Sequence, residues 1–349
     1  MLIKIGIDIA NDNDYGKRVV EVIRVIPINY RKRLIEKDIE TKMRYSGAVV
    51  LEGPKWCGKS TTAELYSKTI IKLQNPITIK QYQTLVSISK DEVLQGDKPI
   101  LFDEWQEVPE IWDFIRLDID ENRYKGAYIL TGSTKKQNLP VSHTGTGRIN
   151  TIYMRPMSLF ESGNSSGLVS LSALFRGETI KPVKSSISIT ELAQYICRGG
   201  WPESIDLDFN DQLLVARDLL EGIIKNDVDE VDGVKKDKEK IRKLIRSYAR
   251  NISTLVSNKT IYQDQNNEGL RLDYKTFDSY VNALQRLFII ENVKAWSPKI
   301  RSSYTIRTSD KKQFVDPSLA VAALGLSVDQ LKRDFNTFGF FLNQFVLEI

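Results

Sequence analysis

The residues that most restrict what this chain can fold into are Gly53-Pro54-Lys55-Trp56-Cys57-Gly58-Lys59-Ser60, because of what flanks them. The apolar run Ala48-Val49-Val50-Leu51 precedes them, and Thr61-Thr62-Ala63-Glu64-Leu65-Tyr66, able to continue as a helix, follows. Strand, glycine-bracketed turn and helix in that order make a phosphate-binding loop. The glycines let successive backbone N–H groups curl onto phosphate oxygens, and the helix N-terminus adds partial positive charge. Gly53 to Thr61 are therefore the expected nucleotide contacts, with Lys59 on the β- and γ-phosphates and Ser60 on a Mg²⁺ ion; ATP is the implied nucleotide.

The chain then offers acids. Pro99-Ile100-Leu101-Phe102-Asp103-Glu104 is an apolar run too short for a helix, ending in two carboxylates one strand–helix unit beyond Lys59. In a P-loop ATPase the first acid of such a pair holds the metal through water and the second polarises the attacking water. Asp103 is accordingly read as a metal residue beside Ser60, and Glu104 as the general base. Between the loop and this strand, a second strand is expected at Ile77-Thr78-Ile79 behind Asn75-Pro76, then a helix from Thr84 to Gln95.

A fourth strand, Gly126 to Thr131, ends on Gly132-Ser133. Ser133 is the favoured hydrogen-bond partner for the attacking water or γ-phosphate, Thr131 is the alternate, and a plain turn out of the sheet is the competing reading. Arg148 directly precedes a fifth strand, Ile149 to Met154, and is placed near the same edge of the sheet. There it would neutralise charge on the γ-phosphate, in its own subunit or a neighbour's, with the first arrangement preferred. His143 is read as a loop residue.

Composition fixes the class. With 41% hydrophobic residues over 349 positions, two or three ordinary cores can form. Fifty basic residues against 45 acidic give a net charge of +5, a mixed surface that neither demands nor forbids nucleic acid. Cys57 and Cys197 make neither a disulfide framework nor a zinc site, which fits a reducing, cytoplasmic setting. No run reaches the roughly 18 apolar residues of a membrane span, so no membrane contact is expected.

Leu51 to Ala63, Leu101 to Gln106, Ile111-Trp112-Asp113 with Arg116, Ile129 to Ser133, His143 to Arg148, Met154 to Gly167 and Arg198 to Pro202 resemble the AAA+-superfamily ATPases of bacteria and archaea near the signal-transducing STAND group. The resemblance implies an α/β P-loop NTPase core, a parallel sheet flanked by helices, over 29–160. A helical lid over 161–234, a winged-helix domain over 235–325 and the start of a truncated C-terminal region at 326–349 follow, while 1–28 is an unassigned N-terminal arm. It assigns Lys59, Ser60, Asp103 and Glu104 to Mg-ATP and puts Arg148 in the Gly-Arg position before the last core strand. Gly199-Gly200-Trp201-Pro202 resembles a lid turn that approaches the nucleotide, making Arg198 a sensor of bound phosphate; a helix C-cap at Gly199 is the alternative. Such proteins continue into a nuclease-like region, whereas this chain stops at Ile349, so no nuclease activity is expected.

In the charged stretch from Lys235, Ile241, Leu244, Ile245, Tyr248, Ile252 and Leu255 keep helical spacing, which predicts an amphipathic helix with a solvated basic side. A second helix from Tyr274 buries Phe277, Tyr280, Val281, Leu284, Leu287 and Phe288, before strands at Phe288 to Ala295 and Tyr304 to Arg307. That is the winged-helix order. Its outer positions, Lys275, Asp278, Ser279, Asn282, Gln285 and Arg286, carry little positive charge for phosphate contact. A clamp on the ATPase is preferred to a DNA reader. The expected function is a slow regulatory Mg-ATPase with an unidentified protein partner, and ATP-regulated DNA binding is the alternative.

Overall fold

The computed structural model describes residues 30–134, 144–180, 182, 184–267, 269, 272–294 and 309–346. The N-terminal arm, His143 and the strand expected at 304–307 lie outside them. The chain divides into two units: one holds the large sheet and its helices as far as Tyr153, and the other runs from Met154 onward and includes Gly53–Gly58. Among the described residues no helix is long and apolar enough to cross a membrane.

Five strands build the first unit: β1 (Ala48–Glu52), β2 (Thr69–Lys72), β3 (Ile100–Asp103), β4 (Tyr128–Gly132) and β5 (Ile149–Tyr153). They pair in parallel in the order β2-β3-β4-β1-β5. Successive side chains of a strand point to opposite faces, and both faces here are covered, so the central strands read as unbroken apolar runs. Val49, Leu51, Leu101, Ile129 and Ile152 pack on one side with Ile39 of α1 (Glu36–Tyr45) and Ala63 of α2 (Lys59–Glu64). Ala48, Val50, Ile100, Phe102, Tyr128 and Leu130 pack on the other, against Ile111, Ile115 and Ile119 of the helix Glu110–Asn122.

The second strand is not at 77–79. Residues Pro76–Leu85 form a helix whose N-cap, Asn75, accepts from the Ile77 N–H, with Pro76 in the first turn, where a missing N–H costs nothing. β2 lies earlier and at the sheet edge, where Ile71 alone of its four residues is buried, so no apolar run marks it. The helix expected over 84–95 is instead a short one, Lys90–Val93, capped by Ser89.

In the second unit the Pro317–Leu324 helix is central; Pro317 to Val321 are buried, and it packs against the Ile189–Arg198, Phe209–Gly222 and Lys238–Arg250 helices. Asp316 caps it by accepting from the Ser318 N–H (2.8 Å) and hydroxyl (2.5 Å), and also takes the Gly200 N–H at 2.8 Å. Trp201 Nε1 donates to Ser318 Oγ at 3.0 Å. Burial holds the Asp316 carboxyl above the usual carboxylate range, against hydrogen bonds and a nearby Arg198 that favour its charge.

The expected helices are found at Lys238–Arg250 and Tyr274–Arg286, with Ile241, Leu244, Ile245, Tyr248 and Phe277, Tyr280, Val281, Leu284 buried. The first ends at Arg250, leaving Leu255 exposed. Between the two lies an unforeseen helix, Asn258–Asn267, whose polar sequence buries little beyond Ile261 and Gln265. β6 (Ile290–Val293) pairs antiparallel with β7 (Lys311–Phe314), Ile290 opposite Phe314. The Gln344 amide accepts from the Phe314 N–H (3.1 Å) and donates to the Phe314 carbonyl (2.8 Å).

Candidate nucleotide-binding site

β1 ends at Glu52 and α2 begins at Lys59, so Gly53–Gly58 is a tight connection leaving the C-terminal edge of the sheet. Its path requires glycine twice. A Cβ at Gly53 would stand 2.0 Å from the Met154 carbonyl oxygen, and Gly58 has φ +95°. Trp56 also adopts a left-handed conformation (φ 66°) with its indole exposed. Lys55 Nζ pairs with Asp227 Oδ1 at 2.8 Å, and the buried Cys57 thiol donates to the Met154 carbonyl at 3.5 Å. Pro54 is buried and Thr61 exposed. Lys59 is only 5% exposed, and an ammonium withdrawn from water needs anionic company.

The strand register brings the acids to the same edge. β3 aligns Asp103 with Thr131 of β4, and β1 aligns Glu52 with Gly132. Asp103 is buried and accepts three hydrogen bonds: from Ser60 Oγ (2.6 Å), Thr131 Oγ1 (2.5 Å) and Gln74 Nε2 (3.1 Å). The donor set suits Mg²⁺. A hydroxyl and a carboxylate side by side are hard oxygen donors, and Mg²⁺ is usually held by one or two such groups plus phosphates and waters. Among the described residues no group of three His, Cys, Asp or Glu builds a metal cage.

Glu104 follows β3 in a left-handed conformation (φ 57°, ψ 49°), its N–H donated to Thr131 Oγ1 at 3.1 Å. Non-glycine residues held there are strained, a condition found at sites that must aim a side chain. Thr131 thus spends its hydroxyl on Asp103 and on the Glu104 backbone, while Ser133 sits buried one residue past β4. Gln74 was missed because β2 was misplaced. Its place, in the turn straight after that edge strand, becomes readable only once Thr69–Lys72 is taken as the strand.

Arg148 is not at the edge that carries the loop. β5 runs parallel to β1 with Ile149 opposite Ala48, and the Arg148 carbonyl accepts from the Gly47 and Ala48 N–H groups, so Arg148 stands at the N-terminal edge. A residue that enters a parallel strand lies across the sheet from the loops that leave it, so Arg148 does not stand beside the phosphate loop of its own chain. Its Nε pairs with Asp120 Oδ1 at 2.7 Å, which holds the Asp120 carboxyl below the usual carboxylate range. Arg198 ends the Ile189–Arg198 helix, buried over the Tyr195 ring, donating to Asn164 Oδ1 (3.2 Å) and the Gly199 carbonyl (3.0 Å).

The AAA domain family matches residues 45–162, which span the sheet, the loop and both acids. A Domain of unknown function (DUF8612) matches residues 189–330. No curated protein matches the chain. Among solved structures, the Walker-type ATPase of Pyrococcus abyssi is similar, with a TM-score of 0.50 and 13% identity, covering 84% of this chain and 96% of that one; at that identity the likeness speaks to fold alone. The ORC2 protein of Aeropyrum pernix in its ADP form has a TM-score of 0.33 and 10% identity, covering 92% of this chain and 97% of that one. The STAND protein with a tetratricopeptide repeat sensor from Pyrococcus horikoshii has a TM-score of 0.30 and 13% identity, covering 91% and 46%. These two superpose too loosely to add to the argument. Residues 45–162 thus match the AAA domain family and are folded on the parallel sheet of a P-loop NTPase.

Proposed function

We propose that the protein binds Mg-ATP at Gly53–Thr61 and hydrolyses it slowly, as a switch in which nucleotide state sets the docking of the helical lid (161–234) and the winged-helix region (235–325). The observation that carries the reading is the Ser60–Asp103 hydrogen bond of 2.6 Å, which puts a hydroxyl and a carboxylate together where a loop able to hold phosphates begins its helix. Lys59 would bind the β- and γ-phosphates, and Ser60 with Asp103 would hold Mg²⁺. When bound, Mg²⁺ supplies charge neutralisation on the phosphate oxygens. Glu104 would take the proton of the attacking water, and Ser133 would hydrogen-bond that water or the γ-phosphate. Arg148 of a neighbouring copy would stabilise the transferring phosphoryl group, and Arg198 would report phosphate to the lid.

The DNA-binding reading has weaker support. The exposed positions of the Tyr274–Arg286 helix and its cap include Asp273, Tyr274, Lys275, Asp278 and Asn282, whereas Arg286 is buried and donates to the Val231 carbonyl. On the preceding basic helix Arg242 is engaged by Glu221 and Glu239, and Arg250 by Asp264. A protein partner is the better candidate for what the switch addresses. The test is phosphate release with and without Mg²⁺, alongside nucleotide affinity. Lys59→Ala should abolish ATP binding, and Glu104→Gln should keep binding and lose turnover. Unchanged hydrolysis by Glu104→Gln would show that Glu104 is not the base.

A further inference from the structure

Gln106 lies two residues past Glu104, in the 3₁₀ turn Trp105–Glu107 that follows β3, and is 5% exposed. Its Nε2 donates to Glu104 Oε2, while its Oε1 is buried with no donor. We infer that Gln106 is a positioning residue for the hydrolytic step, its amide aiming the Glu104 carboxylate at the water that attacks ATP. The inference rests on the ATPase reading above and adds to it the group that orients the base.

Packing alone does not account for this amide. A leucine or methionine would fill the same space without burying an unpaired acceptor, so the net effect of the amide at this position is the hydrogen bond given to Glu104. The turn that carries Gln106 is firmly placed. Trp105 packs on Trp112 with ring centroids 4.9 Å apart, and Val108, fully buried, donates its N–H to the Trp105 carbonyl. β4 presses on the amide from the other side: a Cβ at Gly132 would stand 3.1 Å from Gln106 Oε1 and 3.5 Å from Trp105 Nε1.

The Glu104 backbone is held by Thr131 and one of its carboxylate oxygens by Gln106, which restricts the directions the carboxylate can take. That restriction is what a general base needs, because proton transfer is efficient only when the acceptor is already within hydrogen-bond reach of the water. No proton or bond of Gln106 changes in the step. The water proton passes to Glu104, the oxygen bonds to the γ-phosphorus, and the bond from that phosphorus to the β–γ bridging oxygen breaks, with ADP leaving.

The experiment compares the full chain with Gln106→Leu, Gly132→Ala, Glu104→Gln and the double variant Gln106→Leu/Glu104→Gln, measuring turnover by phosphate release and affinity with a fluorescent ATP analogue. Gln106→Leu should lower kcat by about ten- to a hundredfold, the range expected for a hydrogen bond to a charged group, with affinity within about twofold of the parent. It should lower turnover no further in the Glu104→Gln background, since it acts only through that carboxylate. Gly132→Ala, which pushes the amide without altering it, should lose turnover in the same direction by less. An unchanged kcat in Gln106→Leu, a parallel loss of affinity, or an additive effect in the double variant overturns the assignment. Should Gln106→Leu not fold, Gln106→Asn, with its amide one methylene short, must show the same split, and parent-like turnover there also overturns it. A parent that releases no phosphate sinks the ATPase reading and this one with it, whereas a parent that turns over beside an unaffected Gln106→Leu sinks this one alone.

Discussion

On the function proposed above, the γ-phosphate that Arg148 serves belongs to another copy of the chain. Five strand residues separate Arg148 from the loop edge, about 16 Å at the usual rise of about 3.3 Å per residue, more than an extended arginine spans. An arginine finger is worth on the order of 10³–10⁵ in rate, so Arg148→Ala should lose nearly all turnover while still binding ATP. In the head-to-tail assembly this proposal requires, each site would take Glu104 from one copy and Arg148 from the next. When Arg148→Ala and Glu104→Gln proteins are mixed in equal amounts, each half of a site is intact with probability one half. About one quarter of the parent activity should return, although each variant alone is inactive. The pairing with Asp120 does not prevent this, since both partners are exposed enough to exchange an intramolecular ion pair for a phosphate. The assay is phosphate release against mixing ratio and total concentration, and parent specific activity should climb as copies assemble. Failure to recover activity at any ratio, with both variants folded and binding ATP, refutes the head-to-tail site; parent-like hydrolysis by Arg148→Ala removes the residue from catalysis.

Asp316→Ala strips the acceptor from the Gly200 and Ser318 N–H groups, both buried, and should destabilise the second unit by about 3 kcal/mol, read as a lower urea midpoint; a loss under about 1 kcal/mol would show that this cap does not hold the turn. Arg242 holds the Glu221 carboxyl below its ordinary range, so the pair stabilises above the unfolded carboxylate range and is lost as pH falls through the lowered value. Exposure limits the term to about 0.5 kcal/mol, so Arg242→Met should lower stability by that amount at neutral pH and change it little in acid, where the pair is already lost, which flattens the acid side of the stability curve. Double-stranded DNA should show no steep salt-dependent binding, and neutralising Lys243 and Arg246 should change nothing; a log–log slope that falls on neutralisation would restore the DNA reading.

What could be read from the chain was whatever is buried and consecutive. β1, β3 and β4 are covered on both faces, so their sequences are apolar without alternation, and the chemistry at their ends is adjacent in sequence to those runs. β2 escaped notice because an edge strand with one buried residue has no such run, and Asn75-Pro76, read as a strand boundary, is a helix start. With the strand misplaced, Gln74 had no address. Gln106 was in plain view beside the two acids, but an amide is assigned a role by the atom it faces, which spacing does not disclose. The error over Arg148 was of another kind. Strand direction alone decides which end of a parallel sheet a residue occupies, and a residue that directly precedes β5 must stand where that strand enters.

The Gln344 amide has a consequence beyond the fold it helps to close. A two-stranded sheet leaves unpaired N–H and C=O groups along its outer edges, and such edges invite a strand from another molecule to add on. Gln344 presents to Phe314 one acceptor and one donor, which is what an incoming strand would offer, and so occupies the place where sheet extension would start. Apolar Phe314 and Val315, the residues most apt to drive such an addition, are buried beside it. Solutions of Gln344→Ala should therefore cloud at concentrations where the parent stays clear, even if the isolated molecule loses little stability.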